Sequence, residues 1–515
     1  MSARRHGLEA VATVAAVVVV AEAPTIAGYA LGGASFNGSP TPAKYVADFA
    51  QHELWASEMA RHGRFVANLL TPEHTKPGWF FNPLEFVLGF AQRATGIPYG
   101  VMNIAAALVG GIALAFVLRA LAHRAGLERP ALPLLVALVA GSFEPLVLLA
   151  ARLGLPGTSH LTGVGVGTSP LSAGAWPYLP LAALVLLLLA GSRGAGPTGA
   201  FRRAGLALLA EAAIYPFFAP TLWLAGALYA TVCARTLGWR RVLPGLAWFT
   251  ALPAAPVVYY AVVLPRIDPE FERFSRLNHS PFLHPAGLVI SLGLGLATIL
   301  GLGRLLRGND AQRVLACFAV AVLVALYLPR HPDRSHILYL DPLLVLGAFA
   351  AWKPFLDARR PGRWHVLAAA AVAAALASGP YYFKPEISSL APRVTPVFLN
   401  SGDRAALSWL ARRHDGGAVL ARSDLSPWVA ARTGHRVLVG HYLWTHDWNE
   451  RLHEVDKVFG SDTSPVPLIQ RFDVKWVLID GERGTPTWAR GVPAAARFDD
   501  AAVLLAAAVV ERPNG

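Results

Sequence analysis

The chain has 515 residues, 54% of them hydrophobic and only 15% charged, where soluble domains carry roughly 25% charged residues. That composition excludes an ordinary soluble protein and points to an integral membrane protein. The 45 Lys and Arg against 32 acids, a formal charge of +13, fall mainly in short loops between apolar stretches, a distribution that orients a membrane protein and argues against a nucleic-acid partner.

Arg4 and Arg5 precede an apolar run over 8–31, too long for the core of a signal peptide, so an uncleaved first helix is expected. The hydrophilic segment 32–98 follows and holds Asp48, His52, Glu53, Glu58, Glu73 and His74. Further apolar stretches recur near 99–118, 132–151, 176–191, 205–218, 219–234, 242–264, 286–303, 314–328, 341–352 and 364–379, about eleven spans in all. Tyr215-Pro216 and Ala219-Pro220 permit a turn between the fifth and sixth, because proline disfavours helix in the residue before it and lacks a backbone donor.

With a cytoplasmic N-terminus, the clusters at Arg119 and Arg124, Arg202 and Arg203, Arg240 and Arg241, Arg304 and Arg307, and Arg359 and Arg360 then share the cytoplasmic side. Segments 32–98, 152–175, 265–285 and 329–340 share the other. Cys233 and Cys317 lie inside apolar stretches and read as packing residues. Glu144 and Glu211 fall within spans, where acids line a polar cavity or pair with a cation.

Past Pro380 the pattern changes to short apolar strands alternating with amphipathic helices. A helix over 403–413 follows a Ser401 cap. Strands are expected at 418–422, 436–439, 476–479 and 503–510, with helices at 427–433, 448–459 and 464–472. The expected architecture is a polytopic α-helical membrane protein, with a transmembrane domain over 1–380 that includes the large first outer loop, and a small extracytoplasmic α/β domain over 381–515.

Three stretches carry a resemblance. They are Thr71-Pro72-Glu73-His74 with Asn82-Pro83-Leu84-Glu85 and Thr95-Gly96; Tyr327-Leu328-Pro329 to Arg334 with Asp341-Pro342-Leu343; and Thr433-Gly434-His435-Arg436 through Gly440-His441 and Thr445, with Val474-Lys475-Trp476. Together with the long acid-bearing first loop they resemble the GT-C class of polyprenyl-phosphate-dependent membrane glycosyltransferases, and in particular its uncharacterised bacterial and archaeal members. Class members usually carry an Asp-Asp, a Glu-Asp or a single Asp early in the first loop. Here Asp48 is the one aspartate between Asn37 and Pro98, with Glu53 as a second candidate. The C-terminal domain lacks the Trp-Trp-Asp signature of oligosaccharyltransferases, which argues against transfer of a whole glycan to asparagine.

The resemblance implies sugar transfer from a polyprenyl-phosphate donor to an extracytoplasmic glycan, lipid or protein acceptor, in a multi-pass protein of the cell inner or plasma membrane. Such chemistry needs a carboxylate to take the acceptor's proton and cations to stabilise the leaving phosphate. Asp48 is the expected base, with Glu53 beside it. A solvated face of an amphipathic juxtamembrane helix has the same pattern, since Asp48, His52 and Glu53 recur at helical spacing.

Glu73 and His74, in a loop after Thr71-Pro72, are expected to touch substrate, as loop acids do more often than helix-face acids; equally, Thr71 or Glu73 caps the helical segment 80–94. Arg334 and His336 are expected near the donor phosphate, because the guanidinium fork matches phosphate oxygens. The alternative there is an interfacial anchor. Tyr442, Trp444 and Trp448 suit either sugar stacking or a domain core. A Mg²⁺ or Mn²⁺ ion suits the class chemically, though the first-loop acids assign no ligands. A transporter or flippase of lipid-linked glycans is a rival reading; it predicts internal repeats and broken helices with mid-membrane acids. A non-catalytic protein with the same architecture is another.

Overall fold

The structure is a computed structural model. It describes residues 2–40, 43–65, 67–75, 78–140, 142–155, 177–192, 196–278, 285–327, 337–357, 362–391, 393, 395–413, 416–482 and 484–511. Arg334 and His336 lie outside the described residues. Contacts divide the chain into two compact units. One comprises Met1–Ala23, Ala105–Val263 and Asn278–Lys384; the other comprises Pro24–Ile104, Leu264–Leu277 and Pro385–Gly515.

The first unit is helical. Over the whole described chain, six helices are long and apolar enough to cross a membrane: Arg5–Ser35, Tyr99–Arg124, Trp239–Ile267, Pro285–Arg307, Asp310–Tyr327 and Arg363–Ser388. A seventh crossing counts if Ala131–Val139 and Glu144–Arg152, bent by 60°, form one span. The apolar stretch 132–151 therefore does not run as one straight helix. The second segment restarts at Glu144-Pro145, where proline suits a helix's first turn, and the freed Phe143 N–H donates to the Ile290 carbonyl at 2.8 Å.

Pro197–Ile214 and Ala219–Leu237 are separate helices joined by a turn, as the two Pro-containing pairs predict. Glycines set the closest packing: a Cβ on Gly205 would lie 2.9 Å from Phe249 Cα, and one on Gly245 2.8 Å from Thr198 Cα. Small residues let helix backbones approach this closely. Glu211 is fully buried here, and neither of its carboxylate oxygens has a hydrogen-bond partner among the described residues.

The second unit joins chain from three places. Helices Ala43–His62 and Pro83–Thr95 pack together, and Gly89 is what permits it: a Cβ there would stand 1.9 Å from the Ala56 carbonyl oxygen. The C-terminal residues build a five-stranded sheet from β1 (Ala418–Leu420), β2 (Arg436–Val437), β3 (Val474–Ile479), β4 (Ala494–Phe498) and β5 (Ala501–Leu505), in the order β2-β1-β3-β5-β4. β1 lies parallel to both β2 and β3, whereas β5 is antiparallel to β3 and β4. Helices Ser401–Ala411, Ser426–Thr433 and Trp448–Gly460 alternate with the strands.

Two local expectations are corrected. The strand expected over 503–510 ends at Leu505 and continues as a short helix, while its hairpin partner β4 reads Ala-Ala-Ala-Arg-Phe and gives no alternating signal. The cap of helix Ser401–Ala411 is Asn400, not Ser401. Asn400 has extended backbone and its side chain accepts the Asp403 N–H at 2.6 Å, while Ser401 donates to Asp499.

Candidate functional site

All the described candidate residues lie in the second unit, and the site is built on helix Ala43–His62. Asp48 and His52 stand four residues apart on it and so share a face. Asp48 Oδ1 accepts from His441 Nε2 at 2.5 Å. The His441 tautomer follows from the geometry: the Leu443 N–H donates to Nδ1 at 3.1 Å, so Nδ1 is an acceptor and the ring proton sits on Nε2.

The turn carrying His441 is pinned in turn. Thr445 Oγ1 accepts from the N–H groups of Gly440 and His441 at 2.9 and 3.1 Å and donates to the Leu70 carbonyl at 2.6 Å. The Val437 N–H donates to the Leu69 carbonyl at 3.0 Å, tying β2 to the first-loop segment. His441 is buried at 1% side-chain exposure, whereas Asp48 is 37% exposed. One oxygen of Asp48 is therefore held, and Oδ2 has no hydrogen-bond partner among the described residues. A carboxylate oriented on one side and open on the other is what a general base requires.

The other acids are engaged differently. Glu53 is buried, with Arg432 Nε 3.5 Å away; Arg432 also lies over the Trp428 ring and donates to the Asn37 carbonyl. Glu73 takes a two-pronged interaction from the buried Arg451, 3.0 Å at one nitrogen, and a hydrogen bond from Thr71. Burial would raise the Glu73 pKa, but the Arg451 and Thr71 hydrogen bonds outweigh it and bring it down to about 2.

Asp48, Glu53 and Glu73 thus each meet a partner from the C-terminal residues: His441, Arg432 and Arg451 in turn. No hydrogen bond or ion pair among the described residues joins Asp48, Glu53 and Glu73 to one another. His74 is exposed. Thr71 and Glu73 do not cap the following helix. Asn82 does, accepting the N–H groups of Leu84 and Glu85.

Several residues outside the expected set join the site. Glu85, buried in the first turn of helix Pro83–Thr95, accepts from Tyr99 Oη at 2.8 Å and lies 2.8 Å from His52 Nδ1. Burial works against charge on His52, but the Glu85 carboxylate outweighs it and raises its pKa. Glu58 is buried beside Arg61 and His62, and burial raises its pKa.

The segment 265–285, expected as loop, contains helix Pro269–Leu277, started by Asp268 accepting from the N–H groups of Glu270 and Phe271. An Asp-Pro pair opening a helix is a readable signal. Glu270 on that helix takes Asn68 at 2.8 Å and His446 at 3.0 Å; these bonds outweigh burial and lower its pKa.

Trp444 is 1% exposed and packs against Trp55, Phe65 and Phe274, so it is core. Tyr442 is exposed. Among the described residues no group of three His, Cys, Asp or Glu side chains has the arrangement of a metal site. Asp48 offers one open oxygen while Glu53 faces Arg432, so these residues do not form a ligand set.

No family model matches the chain, and no curated protein matches it. Solved structures do resemble it. The mycobacterial arabinofuranosyltransferase AftD matches with a TM-score of 0.53 at 17% identity, over 90% of this chain and 35% of that one. ArnT from Cupriavidus metallidurans, in the apo state, matches with a TM-score of 0.47 at 15% identity, over 90% of this chain and 94% of that one. The Archaeoglobus fulgidus oligosaccharyltransferase AglB, solved with an inhibitory peptide and a dolichol-phosphate, matches with a TM-score of 0.41 at 12% identity, over 90% and 69%.

Proposed function

We propose that this chain, which has the fold of the GT-C membrane glycosyltransferases, transfers a sugar from a polyprenyl-phosphate donor to an acceptor on the extracytoplasmic side. In this reading the N-terminus is cytoplasmic, about eleven segments cross or enter the membrane, and the unit carrying Asp48 faces outward. The observation that carries the reading is the Asp48–His441 pair, with one carboxylate oxygen fixed by the buried imidazole N–H and the other open.

The acceptor nucleophile gives its proton to Asp48 Oδ2 as it attacks the anomeric carbon, and the bond to the lipid phosphate breaks with its electron pair going to the phosphate. His441 holds Asp48 in place through its Nε2–H donor. His52, which Glu85 holds toward its charged form, adds positive character on the same helix face. Arg334 and His336 are assigned to the departing phosphate, and Glu73 and His74 to the substrate. Glu53 serves as a second acid whose charge Arg432 balances.

The test is transfer of radiolabelled sugar from polyprenyl-phosphate donors, in membranes holding matched amounts of wild type, Asp48→Asn, His441→Ala and Arg334→Ala. Asp48→Asn is expected to lower turnover by about 10²–10⁴-fold, the usual contribution of a positioned base, with a smaller loss for His441→Ala. Wild-type transfer that Asp48→Asn matches would remove Asp48 as the base. A wild type inactive with every donor and acceptor class would remove the transferase reading.

A further inference from the structure

The first unit holds a cavity of about 410 Å³ lined by Arg304, Arg307, Gln312 and Lys353. Its position and charge are not used by the site above. Arg304 and Arg307 end helix Leu302–Arg307, the last turn of the candidate span Pro285–Arg307; Gln312 lies in the first turn of the next candidate span, Asp310–Tyr327. Lys353 comes from helix Asp341–Leu356. Two helices thus bring three cations to one recess, beside the start of a third helix that supplies Gln312.

The acids offset Lys353 alone. Lys353 Nζ meets Asp357 at 2.8 Å, and Glu128 stands 4.0 Å away. Arg304 lies over the Trp352 ring, 4.1 Å from its centroid, and makes no ion pair among the described residues; nor does Arg307. Gln312 is occupied by the Ala125 carbonyl and the Asn309 N–H. A second cavity, of about 770 Å³, is lined by Arg124, Arg203 and Asp310, the last of which pairs with Arg313.

Two guanidiniums without an ion pair among the described residues line the recess, and their planar donors match phosphate oxygens. Trp352, under the Arg304 guanidinium, donates its indole N–H to the Ala297 carbonyl, in the manner of an aromatic side chain at a membrane interface. We propose that this recess binds the phosphate of an anionic lipid headgroup, with Arg304 and Arg307 as its ligands. Basic pockets between helix ends are suited to such headgroups, and the adjoining apolar helix surfaces lead acyl chains away from the phosphate.

The full chain, purified in neutral detergent, would be melted with phosphatidylglycerol, with phosphatidylcholine and with inorganic phosphate. Phosphatidylglycerol should raise the melting temperature, and Arg304→Gln/Arg307→Gln should raise its half-saturating mole fraction by about tenfold or more. Arg235→Gln, an exposed arginine outside the cavity, should leave it unchanged. Equal stabilisation by phosphatidylcholine, or an unaltered response in the double variant, would overturn the proposal. A response reproduced by inorganic phosphate alone would overturn its lipid source. Should the double variant fail to melt cooperatively, the single Arg307→Gln decides by the same readout, since its side chain is exposed and its loss leaves no buried partner.

Discussion

Asp403 shows what a single buried charge does to this protein. It is fully buried in helix Ser401–Ala411, and neither carboxylate oxygen has a hydrogen-bond partner among the described residues. Burial first, then the nearby charges of Asp480, Glu482 and Asp500, push its pKa up to about 7. Unfolded, the same group titrates near 3.9. The folded state therefore binds more protons between these values, and stability falls as pH rises from about 4 to about 7.

Asp403→Asn removes that penalty. A rise from about 3.9 to about 7 corresponds to about 4 kcal/mol, so the expected effect is stabilisation by up to roughly that amount at pH 8 and almost none at pH 4. Tryptophan-detected unfolding at the two pH values checks this, and equal effects at both would contradict it. Nothing in the sequence marks Asp403 as unusual, because an acid in a helix's first turn is favourable on an exposed surface. Its burial, followed by the acids at the β3 and β5 ends, reverses the sign.

At the scale of elements, the pairing of helices Ala43–His62 and Pro83–Thr95 decides where the candidate acids stand. Gly89→Ala would press a methyl group into the Ala56 carbonyl oxygen, so one helix must move. Overpacking of a tight contact costs about 1–3 kcal/mol, and the shift would be felt at Asp48 through its own helix. The expected result is a lowered melting temperature together with reduced transfer, whereas exposed Val87→Ala on the same helix should do neither. A Gly89→Ala protein as stable as wild type would mean that the helices part at no cost.

Both helices were legible as helical segments. Their register was not, because a glycine reads the same in a sequence whether it faces solvent, a turn or a neighbouring backbone. The Asn82 cap followed by Pro83 is by contrast a local signal, and it places the start of the second helix without reference to the rest of the chain.

At the scale of the whole molecule, the second unit is discontinuous in sequence. Residues 24–104 fold with 385–515, through the Phe36–Phe398 bridge, the Leu69 and Leu70 carbonyls, and the three acid pairings. A chain truncated after Lys384 would leave helix Ala43–His62 without His441, Arg432 and helix Ser426–Thr433, which packs on it. Tryptic cleavage at Arg61 and Arg93 should then be much faster than in the full chain in the same detergent. Equal cleavage rates would show that residues 24–104 hold together alone.

The sequence by itself determined what depends on composition and local periodicity. Apolar stretches separated by basic loops established a helical membrane protein, the change past Pro380 marked alternating strands and helices, and the first loop stood out as a concentration of acids. Asp48 was readable as a candidate because so few carboxylates were available. Tertiary structure alone decided the partners. Asp48 and His441 lie 393 residues apart, and no periodicity encodes which histidine reaches which aspartate. The same holds for Glu53 with Arg432 and Glu73 with Arg451, and for the 60° break inside an evenly apolar stretch. Hydropathy records how well a residue suits water or lipid; which side chains meet is settled only when distant segments pack and every buried polar group must find a partner.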